Sequence, residues 1–171
     1  MKEMIRYGLI LSLICFVAAG LLAGVNSLTR ARIIAQAQAE EDAGLKEVMP
    51  QGDRFEPVKS KEEVSYYNVY DKQGTLIGAA FKASGKGYSS TIETLAGMLK
   101  DGTITNIKVI SQGDTPGLGA RVAEPEFSGQ FCGKNLKALG EVQAITGATI
   151  SSKAVLDSVK KKAEEIKAMI R

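Results

Sequence analysis

The 171-residue sequence contains no histidine and no tryptophan, only two cysteines and four prolines, and a net charge of +3. Without an imidazole there is no histidine base, and zinc sites of the Cys/His kind are excluded. Cys15 lies inside an apolar segment and Cys132 far along the chain, so a disulfide between them is not expected. The small positive charge sits at the C-terminal end. Residues 153–171 hold Lys153, Lys160, Lys161, Lys162, Lys167 and Arg171 against Asp157, Glu164 and Glu165, which leaves the rest of the chain neutral. A nucleic-acid partner would want a wider basic face with stacking aromatics, so none is expected. The tract at 160–162 reads as a solvated face that is also able to meet a partner or anionic lipid.

What is present suits one folded domain with an anchor. The length fits about one domain. At 44% apolar and 24% charged residues, the composition is that of a foldable globular chain. Residues 7–29 form an uncharged stretch, long enough to cross a hydrocarbon core of about 30 Å as a helix. A cleaved signal peptide is the rival reading, but its apolar region is usually shorter. Basic residues flank the stretch about equally, so orientation is weakly set. Gly20 and Gly24 are spaced for close helix contact, although glycines are common in membrane helices. Residues 30–48 are rich in Ala, Gln and Glu and read as a helical stalk, or else a flexible linker, ended by Met49-Pro50-Gln51-Gly52. The expected divisions are an anchor over 1–29, a stalk over 30–52 and a domain over 53–171.

Two hairpins are predicted in the domain. Residues 64–71 and 75–83 flank Lys72-Gln73-Gly74, and residues 92–99 and 103–110 flank Lys100-Asp101-Gly102. Neither alternates cleanly, which predicts strands partly covered on both faces. Residues 84–90 between them are a glycine-rich break. Residues 125–131 form an aromatic patch expected to close one edge of the core, and residues 134–139 predict a short helix. From 153 to 170, Val155, Val159, Ala163, Ile166 and Ile170 fall on one helical stripe suited to core packing. The fold class is α+β: a transmembrane helix, then a small antiparallel sheet with packed helices.

The most informative stretch is Thr146-Gly147-Ala148-Thr149-Ile150-Ser151-Ser152, between an apolar run at 142–145 read as a strand and the last helix. Gly147 and Ala148 allow close backbone approach, and one of the serines is a suitable N-cap. Unpaired N–H groups and the dipole at a helix start favour an anion, so the loop has the physics of a phosphate seat. A capped helix start with no ligand accounts for the same residues. Gly85-Lys86-Gly87-Tyr88 and Asp114-Thr115-Pro116-Gly117-Leu118-Gly119 are, taken alone, only turns.

Taken together and in order, these three stretches resemble the FMN-binding domain family, over roughly residues 60–155. The family includes the G subunit of Rnf-type ion-translocating ferredoxin:NAD oxidoreductases and the C subunit of sodium-pumping NADH:quinone oxidoreductases. Thr146-Gly147-Ala148-Thr149 resembles the end of its flavinylation motif, Asp-x-x-Ser/Thr-Gly-Ala-Thr, whose Asp falls on Gln143 here. The family's Gly-Tyr falls on Gly87-Tyr88. Its Glu-Thr-Pro-Gly-Leu-Gly falls on residues 114–119, with Asp114 in place of Glu and no upstream histidine.

The resemblance implies FMN joined to Thr149 by a phosphoester, attached by a separate flavin transferase. It implies a cofactor site that also includes Thr146, Gly147, Ala148, Ser151, Ser152, Gly87, Tyr88, Thr115, Pro116, Gly117, Leu118 and Gly119. Tyr88 would pack against or bond the flavin, and the 114–119 loop would offer Thr115 and backbone N–H groups. The implied role is that of an electron-carrying G subunit among other membrane subunits, with its domain outside the cytoplasm. Such a subunit is a relay rather than an enzyme by itself. A quinone-reductase C subunit or a stand-alone anchored flavoprotein shares the motifs. A cofactor-free structural or sensory anchor is the alternative of another class.

Overall fold

The structure, a computed structural model, describes residues 2–60 and 63–170; Met1 and Arg171, the outer ends of the expected anchor and last helix, lie outside the described residues. The chain divides into two units, Met1–Glu41 and Asp42–Arg171. A single helix, α1 (Lys2–Val48), forms the first unit and supplies the opening turns of the second. No proline interrupts it before Pro50. In the first unit its large apolar side chains, such as Leu9, Leu13, Phe16, Leu21 and Leu22, are exposed along the described length. That pattern suits lipid, because a helix satisfies its own backbone hydrogen bonds there.

The second unit is a meander of five antiparallel strands in the order β1-β2-β3-β4-β5. They are β1 (Arg54–Ser60), β2 (Glu63–Tyr70), β3 (Leu76–Lys86), β4 (Thr91–Leu99) and β5 (Ile104–Ser111). The predicted hairpins form at the predicted turns. Asp71 Oδ1 accepts the N–H groups of Gln73 (2.9 Å) and Thr75 (2.8 Å), and Asp101 Oδ1 accepts that of Thr103 (2.8 Å). These are side-chain mimics of a turn. β3 runs to Lys86, three residues into the glycine-rich stretch. β1 has no counterpart in the sequence reading, because Pro57 and its charged neighbours suit only an edge strand.

Both faces of the sheet are covered, as the imperfect alternation predicts. On one face Ala79, Phe81, Ala83, Ile92, Ala96 and Met98 pack against α3 (Thr149–Met169), through the stripe Val155, Val159, Ala163, Ile166 and Ile170. Phe127, from the single-turn α2 (Pro125–Ser128), and Phe131 join this core edge to face, with centroids 5.5 Å apart. The aromatic patch is therefore buried in the main core. On the other face Val69, Ala80 and Leu95 are capped by Leu45 and Val48 from the end of α1 and by Met49 just after it.

Two expected elements differ. Residues 142–145 are not a strand: they follow a 3-10 turn at Ala138–Glu141 and join no sheet. Their backbone is held by side chains instead. Gln143 N–H donates to Gln130 Oε1 (2.8 Å), and Ile145 N–H donates to Ser152 Oγ (3.1 Å). The helix expected at 134–139 is only that 3-10 turn, shifted toward Glu141.

A close backbone approach sets the position of the candidate site. At Gly85 an added Cβ would lie 2.3 Å from the carbonyl oxygen of Ala154. The end of β3 thus presses onto α3 near its start, and the β3–β4 connection arrives beside that helix's first turn.

Candidate functional site

The last helix starts earlier than its apolar stripe suggests. α3 begins at Thr149, and its N-cap is Ala148, with no side-chain cap. Neither Ser151 nor Ser152 caps it; both lie within the first turn and are buried. The chain enters through Gly147 at φ 83°, a left-handed conformation that glycine adopts freely. Ala148 N–H turns back to Ile145 C=O at 2.9 Å, and the first helical bond runs from Ser152 N–H to Ala148 C=O at 2.9 Å. The N–H groups of Thr149, Ile150 and Ser151 precede that bond, so the positive end of the helix dipole faces outward there. Thr149 is exposed at this end.

Beneath the helix start lies Asp114, 4% exposed. Its Oδ1 accepts the N–H of Ser89 (2.8 Å), the Oγ–H of Ser89 (3.0 Å) and the N–H of Ser90 (3.0 Å). Its Oδ2 accepts the N–H of Tyr88 (3.2 Å) and the Oγ–H of Ser151 (2.5 Å). One carboxylate therefore joins the β3–β4 connection, the loop after β5 and α3. Burial alone would raise its pKa. The bonds from Ser151, Ser89 and Ser90 outweigh that and hold the carboxyl well below the usual range.

Two glycines make room for this anchor. A Cβ at Gly87 would stand 2.5 Å from Asp114 Oδ2, and one at Gly119 would stand 2.7 Å from Asp114 Cβ. Pro116 and Gly117 form the turn before Gly119, with Leu118 N–H donating to Thr115 C=O at 3.1 Å.

Above the anchor is an open cleft of about 500 Å³, within the size range of small-ligand sites. Tyr88, Thr115, Leu118, Gly119, Gly147, Ala148, Thr149 and Ser151 line it, joined by Ile150. The structure brings these eight sequence-derived residues together from three separate segments. The other five sit around them. Gly87 is packed under Tyr88 against Asp114, Pro116 and Gly117 shape the turn, and Ser152 accepts the Ile145 N–H. Thr146 faces an adjoining hollow with Arg121, Glu124 and Gln143.

The set of thirteen omits Asp114 and Ile150. Asp114 carried a signal, since it stands where the family's loop has its acid. Ile150 carried none beyond its neighbours. Among the described residues no group of His, Cys, Asp and Glu is arranged to hold a metal ion, and both cysteines are free and exposed.

An antiparallel meander packed on one helix, with an open cleft over that helix's start, defines a small α+β domain with room for a ligand. Residues 87–164 match the FMN-binding domain family. Residues 1–48 match the RnfG N-terminal region. The chain belongs to the family of G subunits of ion-translocating oxidoreductase complexes. It is 38% identical to the G subunit of the ion-translocating oxidoreductase complex of Methanosarcina acetivorans, over 92% of each chain. It is 31% identical to the G subunit of the proton-translocating ferredoxin:NAD(+) oxidoreductase complex of Clostridium ljungdahlii, over 91% of this chain and 88% of that one. The G subunit of the Na(+)-translocating ferredoxin:NAD(+) oxidoreductase complex of Acetobacterium woodii is 33% identical, over 92% and 89%. The crystal structure of Shewanella oneidensis NqrC shares the fold, with a TM-score of 0.51 at 22% identity over 71% of this chain and 74% of that one.

Proposed function

We propose that this chain is the membrane-anchored, FMN-carrying, electron-transferring G subunit of an Rnf-type complex, and that FMN is esterified through its phosphate to Thr149. The observation that carries the attachment is the placement of Thr149. Its hydroxyl is exposed at the first position of a 21-residue helix, beside free N–H groups and at the edge of the cleft.

The surrounding residues fit such a group. Gly147, exposed and without a side chain, leaves backbone bare at the cleft. Three large side chains stand exposed around Thr149: Tyr88 at 71%, Ile150 at 55% and Leu118 at 48%. Exposed apolar groups gathered at one cleft mark a binding surface, and a flat aromatic ring is the shape they would cover. The N–H groups at the start of α3 suit a phosphate. Bound FMN supplies the redox chemistry of its ring; the protein supplies attachment, orientation and electrostatics. No base adjoins Thr149 among the cleft residues, which favours attachment by a separate flavin transferase. In the proposed arrangement the domain lies outside the cytoplasm, where a tether keeps a cofactor that could not readily be recovered, and other membrane subunits are its electron-transfer partners.

The test is co-production of the full chain with a flavin transferase. The expected result is an intact-mass gain located on Thr149, in-gel flavin fluorescence after denaturation, and neither in Thr149→Ala. Wild-type protein without a mass gain would overturn the attachment. Absence of any flavin absorbance would favour a cofactor-free anchor. A reporter fused after residue 171 tests the side of the membrane.

A further inference from the structure

The structure assigns to Gln130 a positioning role in cofactor attachment: its side chain clamps the backbone at Gln143 and so holds the segment before Thr149 in one presented conformation for the enzyme that modifies that threonine. The assignment rests on the Thr149 reading and goes beyond it, by naming a residue outside the three segments that build the cleft and the part of the reaction it governs.

The segment has little of its own to order it. It joins no sheet. Of the eight residues from Gln143 to Ile150 six are exposed; only Ala148 is buried, and Ile145 is half-buried. Fixing such a stretch costs backbone entropy that so few inward side chains do not repay. Two side chains from elsewhere hold it. Gln130 grips Gln143 at both backbone groups: its Oε1 accepts the N–H at 2.8 Å, and its Nε2 donates to the C=O at 3.4 Å. That is the exchange one strand residue makes with another, supplied here by a side-chain amide. Ser152 then takes the N–H of Ile145 at 3.1 Å.

Both supports are rigid. Gln130 lies in a 3-10 turn, Gly129–Phe131, with Phe131 fully buried and Phe127 buried just before it. Ser152 is buried in the first turn of α3. Both Gln130 bonds go to backbone, so the grip is indifferent to the side chain at 143, where this chain has glutamine instead of the motif's acid.

An enzyme that captures a mobile acceptor must order it on binding; a segment already held removes that cost. A hollow of about 290 Å³, lined among others by Gln130, Gln143 and Thr146, opens beside the held segment, so a partner can grasp it there while the cleft stays free for the flavin. In the transfer the Thr149 Oγ–H bond and the pyrophosphate P–O bond of a flavin dinucleotide break, and the Oγ–P bond forms. The proton passes to a base of the transferase, and a nucleoside monophosphate leaves. Gln130 is not among the residues of the Thr149 cleft, so its effect falls on capture of the acceptor and not on the bond change.

The experiment uses the full chain, purified in detergent without flavin, with a purified flavin transferase and flavin adenine dinucleotide. The initial rate of mass gain at rising concentrations of the chain gives KM and kcat for the acceptor. Gln130→Ala is expected to raise KM about two- to tenfold, the effect of one lost hydrogen bond, at unchanged kcat, the signature of lost binding alone. Amide exchange at Gln143 should quicken with it. Gln130→Glu, which keeps the acceptor for the Gln143 N–H, should lie closer to wild type in both readouts. A wild-type KM in Gln130→Ala would overturn the assignment. So would a fall in kcat at unchanged KM, which would put Gln130 in the transfer step, and so would equal behaviour of Gln130→Glu and Gln130→Ala. Should Gln130→Ala unfold the domain, Gln130→Met, of similar length, carries the same comparison. Loss of the cooperative melt in both would overturn the assignment, because Gln130 would then hold the domain and not the segment. A wild-type chain that gains no mass would instead sink the Thr149 reading, and this assignment with it.

Discussion

Gly119 lies directly against Asp114. A side chain at that position would place its Cβ 2.7 Å from Asp114 Cβ and 2.8 Å from both Asp114 Oδ2 and Ser151 Oγ. None of these atoms is the free end of a flexible chain, so the anchor would have to shift. Gly119→Ala is therefore expected to cost about 1–3 kcal/mol, as overpacking of a filled interior does. Thermal unfolding of the full chain in detergent measures it. A melting temperature equal to wild type would show that the anchor yields without cost.

Asp114 also gives the domain a defined acid sensitivity. Its folded carboxyl titrates below the ordinary value near 3.9, so the unfolded chain takes up the proton first. Its contribution is complete above about pH 4 and fades as pH falls through the folded titration. Asp114→Asn should be less stable than wild type at pH 7 by about 2–4 kcal/mol, since an amide cannot accept all five bonds. Below pH 4 wild type should lose stability faster than the variant, and the gap should narrow. Parallel melting curves from pH 7 to pH 3 would contradict this.

Ser152 shows why a residue's type is easier to read than its partner. In sequence it is a candidate N-cap. In the fold it lies inside the first turn, and its Oγ accepts the N–H of Ile145 at 3.1 Å. Ser152→Ala should leave that N–H without a protein partner and cost about 1 kcal/mol. Loosening of the 142–148 segment should follow, read as faster amide exchange at Ile145. Unchanged exchange there would mean that the bond does not hold the loop.

The parts of the fold that were legible in sequence are those set by short-range chemistry. Asp71 and Asp101 build their turns with bonds that reach two to four residues, and the stripe from Val155 to Ile170 repeats within one helix. The cleft was legible because its three segments carry recognisable motifs. What escaped was set by contacts distant in the chain. Asp114 reaches Ser89 and Ser151, 25 and 37 residues away. Residues 142–145 looked like a strand because they are mostly apolar, but Gln130 and Ser152 claim the N–H groups of Gln143 and Ile145 instead. β1 was missed because its pairing with β2, not its own composition, makes it a strand.

The end of α1 belongs physically to the sheet. Leu45 is 2% exposed, and Val48 and Met49 are fully buried over Val69, Ala80 and Leu95. Thr105 Oγ–H donates to Val48 C=O at 2.5 Å, and Lys108 pairs with Glu47. Burial of a large apolar side chain is worth roughly 1.5–3 kcal/mol, so losing all three should remove much of a domain's margin of about 5–15 kcal/mol. The exposed Glu47–Lys108 pair adds little to this. A chain beginning at Asp42 should be soluble and unfold in one cooperative transition. A chain beginning at Asp53, which uncovers the second sheet face, should melt at a lower temperature or aggregate. Equal melting temperatures for the two would show that the last turns of α1 do not stabilise the sheet.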